Sequence, residues 1–182
     1  MIEMRFHGRG GQGAVTSAEL VAQAAINSEK YATAFPSFGP ERRGAPVVAF
    51  ARIDDQPVRL RSKIYNPDAV IVLDPSLLDI ANPVEGLRKD GILIINSSQD
   101  VETLRKKLSY HGRIAVVDAS HIAREVIGLP ITNTTMVGAL VKGTQMVTVE
   151  SLQEPFQKRF GKLSARNLEA MQRAYNETLT SN

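Results

Sequence analysis

The sequence predicts an α/β fold with a single doubly wound, mostly parallel sheet, helices on both of its faces and an inserted β-hairpin. Two observations carry this prediction. A strand-like segment runs through a glycine turn into a helix-like segment, and three later apolar runs lack the polar alternation of half-exposed strands. The chain has 182 residues, 43% of them hydrophobic, and no polar linker divides it, so we expect one domain spanning residues 1–182.

The first predicted element is a strand from Met1 to Phe6, which enters a turn rich in glycine. After the turn, small and apolar side chains recur at helical spacing. This spacing predicts a helix whose alanines allow close packing on the sheet. The side chains are those of Val15, Ala18, Ala22, Ala25 and Ile26.

A hairpin is predicted in the second quarter of the chain. Residues 47–53 and 58–64 are rich in β-formers and flank a turn-like segment at residues 54–57. In such a strand, side chains two residues apart share a face, so three cations would form a row that could meet an anion or an acidic partner. The alternative is a solvated face of the hairpin. The three cations are Arg59, Arg61 and Lys63.

Three apolar runs follow at residues 69–73, 91–95 and 114–117. Because they do not alternate, we expect strands that are covered on both faces and separated by helices. A polar residue follows each run. Ligands bind beyond the carboxyl ends of parallel strands, so these side chains either line a site or cap the segments that come next. They are Asp74, Asn96 and Asp118.

The last third of the chain is predicted to be helical. One helix should follow Pro130, and two more should form the carboxyl-terminal region. The apolar positions that mark these helices are Met136, Leu140, Gly143 and Val147, then Leu152, Phe156 and Phe160, then Leu168, Met171 and Tyr175.

The composition excludes several classes of function. The chain has no cysteine, whereas iron–sulfur clusters, Cys-based zinc sites and thiol nucleophiles need thiolates, so any electron carrier should lie on a partner. The net charge of +3 and the 5% aromatic content argue against nucleic acid. No apolar run is long enough to cross a membrane, and we expect no membrane association and a cytoplasmic location.

The glycine turn matches the pattern G-x-G-x-x-G between a strand and a helix, where backbone amides can hold a phosphate. An NAD site would also need an acid at the end of the second strand, about 20 residues on, and a loop begins there instead. The turn could therefore serve an NAD site, another phosphate or cofactor, or structure alone. Its candidate cofactor-binding residues are Gly8, Arg9, Gly10, Gly11, Gln12 and Gly13.

Residues 35–46 contain too many prolines and glycines for regular structure, yet they include two aromatic residues and paired arginines. A loop of this kind is typical of a segment that binds a ligand or is held by a partner, and the alternative is a solvated loop. The candidate interface residues are Phe38, Pro40, Glu41, Arg42 and Arg43.

The strings RFHGRGGQG at residues 5–13 and FPSFGPERRGAP at residues 35–46 together resemble the gamma subunit of pyruvate or related 2-oxoacid:ferredoxin oxidoreductases. The resemblance continues to the string NTTMVGAL at residues 133–140 and covers nearly the whole chain. Within this resemblance, the strings FP at residues 35–36 and RRGAP at residues 42–46 are more similar to the pyruvate members than to the 2-oxoglutarate members.

This resemblance implies a complex that oxidatively decarboxylates a 2-oxoacid, transfers the acyl group to coenzyme A and reduces ferredoxin. Thiamine diphosphate, Mg and the iron–sulfur clusters would lie on partner subunits of the alpha, beta and delta types. The present chain would carry no cofactor and no catalytic residue and would be inactive alone. It would be structural, and the cation row could contact coenzyme A.

Two other classes of function remain open at this level. An independent Rossmann-type NAD(P)-binding oxidoreductase would need a bound nicotinamide and a general acid beyond the strands. A scaffold subunit would contact no ligand at all.

Overall fold

The computed structural model describes residues 1–37 and 43–181. Seven strands form one sheet: β1 (Ile2–Arg9), β2 (Tyr31–Pro36), β3 (Pro46–Asp54), β4 (Ala69–Val72), β5 (Ile92–Asn96), β6 (Arg113–Val117) and β7 (Leu179–Ser181). The helices are α1 (Ala14–Asn27), α2 (Leu77–Ile80), α3 (Val101–Leu108), α4 (Ala119–Val126), α5 (Asn133–Thr144), α6 (Gln153–Phe160) and α7 (Ser164–Glu177), and 3₁₀ turns lie at Glu150–Leu152 and Gly161–Leu163.

The sheet has the strand order β2-β3-β1-β4-β5-β6-β7. The neighbours β1, β4, β5 and β6 are parallel, whereas β3 is antiparallel to β1 and to β2, and β7 is antiparallel to β6. Every residue of β4 and β5 is buried, as expected for strands covered on both faces. The predicted α/β fold with a parallel core is confirmed.

Helices cover the two faces unequally. The larger apolar core packs one face of the sheet against α1, α4, α5, α6 and α7. The smaller core packs the other face of β4, β5 and β6 against Leu77 of α2 and Leu104 of α3. Helix α5 lies inside the larger layer, and a Cβ added to Gly138 would come within 2.0 Å of the Met171 carbonyl oxygen on α7. Glycine therefore allows these two helix backbones to approach closely.

The predicted position of the hairpin is wrong. An antiparallel pair is present, but it joins β2 to β3, with Tyr31 opposite Asp54 and Pro36 opposite Ala49. Residues 58–64 contain no strand. The physical reason is that β3 already pairs with β1 on one edge and β2 on the other, so a strand at residues 58–64 would find no free edge of β3.

Candidate functional site

The glycine turn lies at the carboxyl end of β1, in the middle of the sheet. Gly8 and Arg9 belong to the strand, and α1 begins at Ala14. Gly11 has φ 93° and Gly13 has φ 82°, in the left-handed region that favours glycine. Gly13 is the N-cap of α1, and no side chain caps the first-turn amides of this helix. Those amides and the positive end of the helix dipole are typical of an anion-binding surface.

Gln12 stabilises the turn from within. Its Oε1 accepts a hydrogen bond from the Arg9 backbone N–H at 2.7 Å, and its Nε2 donates to Asp74 Oδ2 at 2.6 Å. The backbone N–H of Gln12 also donates to the Arg9 carbonyl oxygen at 2.9 Å. The Gln12 side chain thus joins the turn to Asp74, just beyond the end of β4, the strand that runs parallel to β1.

Arg9 links three segments at this edge of the sheet. Its Nε lies 3.2 Å from Asp74 Oδ2, its Nη2 donates to Ser76 Oγ at 2.8 Å, and its Nη1 donates to the Gly44 carbonyl oxygen at 3.0 Å. Burial by itself raises the pKa of Asp74. Hydrogen bonds from Ser76 and Gln12 and the charge of Arg9 lower it by more, so the pKa of Asp74 lies below its usual value. Asp74 is therefore an ionised anchor for the glycine turn.

The end of the loop before β3 pairs with the glycine turn. Gly10 N–H donates to the Ala45 carbonyl oxygen at 2.8 Å, and Gly44 N–H donates to the Gly10 carbonyl oxygen at 3.1 Å. These bonds place exposed Arg43 beside the turn. The other predicted interface residues, Phe38, Pro40, Glu41 and Arg42, lie outside the described residues.

A depression of about 300 Å³ opens at this place. It is lined by Arg9, Gly10, Gly11, Gly13, Ala14, Val15, Thr16 and Val47. The wall consists mainly of backbone and small side chains, and α1 presents its first turn there. The arrangement can accept a phosphate or a similar anion from backbone amides, with Arg9 in the lining and exposed Arg43 next to Gly44, which bonds to the turn.

Asn133 was not predicted as a site residue, yet it packs directly against the turn. A Cβ on Gly13 would lie 2.5 Å from Asn133 Nδ2. The side chain is 6% exposed, and its Oδ1 has no hydrogen-bond partner within residues 1–37 and 43–181. Ser17 Oγ donates to the Asn133 carbonyl oxygen at 3.1 Å, which holds the first turns of α1 and α5 together. The one feature of the sequence that could have indicated Asn133 as a site residue is its place in the string NTTMVGAL.

The other two polar residues after the apolar runs have structural partners. Asn96 Nδ2 donates to the Leu73 carbonyl oxygen at 2.8 Å and to Ser120 Oγ at 2.9 Å. Asp118 is the N-cap of α4 and accepts a hydrogen bond from the His121 N–H at 2.9 Å. Of the three, Asp74 is the one that contacts the glycine turn.

The predicted cation row is not formed as a strand face. Arg59, Arg61 and Lys63 are exposed side chains in a segment without regular structure. The carbonyl oxygen of Leu60 accepts a hydrogen bond from Arg52 Nη1 at 3.2 Å, and Arg52 pairs with Glu3 at the start of β1.

Arg59 and Arg61 therefore lie near the amino end of β1, whereas the glycine turn follows its carboxyl end. A strand rises roughly 3.3 Å per residue, so the two arginines lie on the order of 20 Å from the glycine turn. Lys63 instead lines a second cavity, beside Arg5 and His7.

Two classes of site are not found in the part of the chain that the structure describes. Within residues 1–37 and 43–181, no three His, Asp or Glu side chains cluster as metal ligands would. Over the same residues, no helix is both long and apolar enough to cross a membrane.

Comparison with known proteins agrees with the resemblance seen in the sequence. A family model described as pyruvate ferredoxin/flavodoxin oxidoreductase matches residues 3–177. The chain is 52% identical over 181 residues to the pyruvate/ketoisovalerate oxidoreductases common subunit gamma of Thermococcus kodakarensis, with 98% of each chain covered. It is 51% identical over 180 residues to the pyruvate synthase subunit PorC of Methanocaldococcus jannaschii, again with 98% of each covered.

A solved structure supports the same assignment at the level of the fold. The crystal structure of pyruvate oxidoreductase subunit PORC from Thermotoga maritima matches with a TM-score of 0.89 and 43% sequence identity, over 100% of this chain and 98% of that one. The family model, the curated relatives and the solved structure each cover almost the whole chain. The chain therefore belongs to the pyruvate ferredoxin/flavodoxin oxidoreductase family, and the relatives compared here are gamma or PorC subunits.

Proposed function

We propose that this chain is the gamma subunit of a multisubunit pyruvate:ferredoxin oxidoreductase and that its glycine turn contributes a contact to coenzyme A. The complex would decarboxylate the 2-oxoacid oxidatively, form acyl-coenzyme A and reduce ferredoxin. Thiamine diphosphate, Mg and the iron–sulfur clusters would reside on alpha-, beta- and delta-type partners. The chain without cysteine would serve assembly and binding of the co-substrate.

One observation carries the coenzyme A contact. The first turn of α1 has no side-chain cap and opens onto a depression that the glycine turn lines. Coenzyme A carries a pyrophosphate and a ribose phosphate, and phosphates bind well at helix amino termini.

Arg9 and Arg43 differ in what they can add to this contact. The guanidinium of Arg9 is already bonded to Asp74, Ser76 and Gly44, so it shapes the turn. Arg43 is exposed beside the turn and makes no side-chain hydrogen bond or ion pair with residues 1–37 and 43–181, so it can add charge to a bound phosphate.

The cation row stays a separate prediction. Arg59 and Arg61 lie near the other end of β1. They could therefore contact a part of coenzyme A far from the phosphate at the glycine turn, or a coenzyme A molecule that a partner subunit holds. Their contribution must therefore be measured apart from that of Arg43.

The experiment measures the apparent KM for coenzyme A and for the oxoacid in the reconstituted complex, at two salt concentrations. The variants are Arg43→Ala, Arg59→Ala and Arg61→Ala. Arg166→Ala is the matched control, since Arg166 is an exposed arginine on α7. A desolvated charged contact is worth on the order of 1.5–3 kcal/mol, so a contacting arginine should raise the KM for coenzyme A about tenfold or more.

The KM for the oxoacid should stay unchanged, and the effect should weaken at high salt. If Arg43→Ala leaves the KM for coenzyme A within about twofold of the Arg166→Ala complex, Arg43 does not contact coenzyme A. The same outcome for Arg59→Ala and Arg61→Ala would make those cations a solvated surface.

A further inference from the structure

In the part of the chain that the structure describes, helices α2 and α3 cover only one half of their face of the sheet. The smaller core is built on β4, β5 and β6, and within residues 1–37 and 43–181 no helix covers β1 and β3 on this side. Arg5 and His7 of β1 lie opposite Phe50 and Val48 of β3 in the sheet register. These four side chains line a cavity of about 320 Å³, which the segments at residues 63–65 and 81–85 also border.

Arg5 is a partly buried cation whose bonds are all to neutral groups. Its Nη2 donates to the carbonyl oxygens of Pro83 at 2.9 Å and Glu85 at 2.6 Å, and its Nε donates to His7 Nε2 at 2.9 Å. Among the described residues, no carboxylate lies within 4.0 Å of its guanidinium. The Glu85 carboxylate attracts this guanidinium from beyond 4.0 Å, but burial outweighs that attraction and lowers the pKa of Arg5, so a closer counter-charge would stabilise the cation.

His7 adds a second donor to the cavity. Because Arg5 donates to Nε2, the neutral ring carries its proton on Nδ1. Burial, with the Arg5 charge as a smaller cause, lowers the pKa of His7 to about 4, so the ring is neutral near pH 7. Within residues 1–37 and 43–181, the His7 side chain makes the one hydrogen bond from Arg5, so its Nδ1 has no partner there.

The rim of the cavity combines charge with exposed apolar surface. Lys63 is exposed and brings a second positive charge, while Glu85 brings one negative charge, so the groups around the cavity sum to a net positive charge. Tyr65 is 72% exposed at the cavity, and Ile80, next to the lining residue Ala81, is 62% exposed. Arg and Tyr are enriched among the residues that contribute most to protein interfaces.

We propose that this cavity docks a partner subunit of the complex, which inserts a carboxylate side chain toward Arg5 and Lys63 and packs apolar side chains against Tyr65 and Ile80. Charge complementarity supports an acidic residue, since the cavity offers two cations against the one carboxylate of Glu85, together with the imidazole N–H of His7. The exposed apolar rim supports a protein surface over a small free anion, which would leave Tyr65 and Ile80 in water.

This surface differs from the depression at the glycine turn, and the proposal rests on the chain's being one subunit of an assembly. The test variant is Lys63→Glu with Tyr65→Ser, because both side chains are exposed. The matched control is Lys162→Glu with Leu163→Ser, an exposed lysine and an exposed apolar residue in the 3₁₀ turn that precedes α7. Tm values of both isolated variants that equal the Tm of the unmodified chain would show that neither change disturbs the fold.

The first measurement is the Kd between each variant and the remaining subunits, without substrate or coenzyme A. We expect the Lys63→Glu, Tyr65→Ser variant to bind about tenfold more weakly or worse, and the control to stay within about twofold of the unmodified chain. Because turnover is not measured, a failure of the coenzyme A contact cannot affect the result. If the unmodified chain binds no other subunit, the proposed function fails first.

The second measurement joins amines to carboxylates with a zero-length carbodiimide in the assembled complex. We expect a cross-link from Lys63 to an Asp or Glu of a partner and none from Lys162. The proposal is wrong if the Kd of the test variant matches the control and Lys63 forms no such cross-link. It is also wrong if acetate raises the Tm of the isolated chain in a Lys63-dependent way while assembly is unaffected, since the cavity would then take a free carboxylate.

Discussion

Gly13 meets two separate constraints in the glycine turn. Its backbone has φ 82°, and a Cβ would lie 2.5 Å from Asn133 Nδ2. Gly11 shares the first constraint, with φ 93°, but has open space around its Cβ position. The pair therefore separates backbone strain from side-chain crowding.

Gly13→Ala should reduce the free energy of unfolding more than Gly11→Ala does. Left-handed backbone costs an L-residue roughly 1–2 kcal/mol, which both variants incur, and Gly13→Ala must also displace buried Asn133. Urea unfolding of the isolated chain measures both values. Equal losses would show that Asn133 moves aside freely and does not fix the turn.

His7 should make the stability of the chain depend on pH above the range where carboxylates titrate. Its folded pKa of about 4 lies below its ordinary value of 6.5, so the unfolded chain binds the proton more tightly. The contribution of His7 to the free energy of unfolding is therefore present above pH 6.5 and is lost as the pH falls toward 4. Between pH 7 and pH 5 the loss should be roughly 2 kcal/mol.

The measurement is the free energy of unfolding in urea at several pH values across this window. His7→Gln should remove most of the slope, whatever its effect on the stability at pH 7. His111→Gln, which changes an exposed histidine, should keep the slope. A slope that survives His7→Gln would assign the pH dependence to other groups.

At the scale of elements, a buried ion pair holds β1, β3 and the following segment together. Arg52 Nε lies 2.7 Å from Glu3 Oε1, and the Arg52 side chain is only 2% exposed. Arg52 also lies over the Phe35 ring of β2, at 5.6 Å from its centroid. Through its bond to the Leu60 carbonyl oxygen, this pair fixes the segment that carries Arg59 and Arg61.

Glu3→Gln should therefore destabilise the chain by about 3–5 kcal/mol, since it leaves Arg52 buried without a counter-charge. The double variant Glu3→Gln, Arg52→Met removes both charges and should recover much of that loss. Urea unfolding of the single and double variants gives the two free energies. A double variant as unstable as Glu3→Gln alone would show that packing around Arg52, more than its charge, holds the elements.

The elements that the sequence predicted well are those that local pattern determines. Residues 69–73 and 91–95 are apolar without alternation, and both form central parallel strands. The hairpin was misplaced because local pattern does not show which strand edges are already occupied. Strand β7 was missed because three residues after a long helix carry too little periodicity.

The same distinction applies to the candidate site. Its position between β1 and α1 followed from the glycine turn alone. The anchoring role of Asp74 and the packing of Asn133 on Gly13 depend on contacts between residues 62 or more positions apart, which a single sequence does not reveal.

At the scale of the whole molecule, the proposed function makes this chain one subunit of a larger assembly. The isolated chain should be colourless and should not reduce a viologen dye with pyruvate and coenzyme A, because it has no cysteine to hold a cluster. Visible absorbance and dye reduction of the purified chain measure this directly. Turnover by the chain alone would contradict the proposed division of labour.

The unequal layers on the two faces of the sheet have a consequence for how the chain opens. Helix α2 has four residues, α3 buries Leu104 as its one fully buried side chain, and both rest on the smaller core. Helices α1, α5 and α7 share the larger core. Hydrogen–deuterium exchange should therefore be fast in α3, slow in α5 and slowest in β4 and β5, because the thin layer can detach while the sheet keeps its other cover.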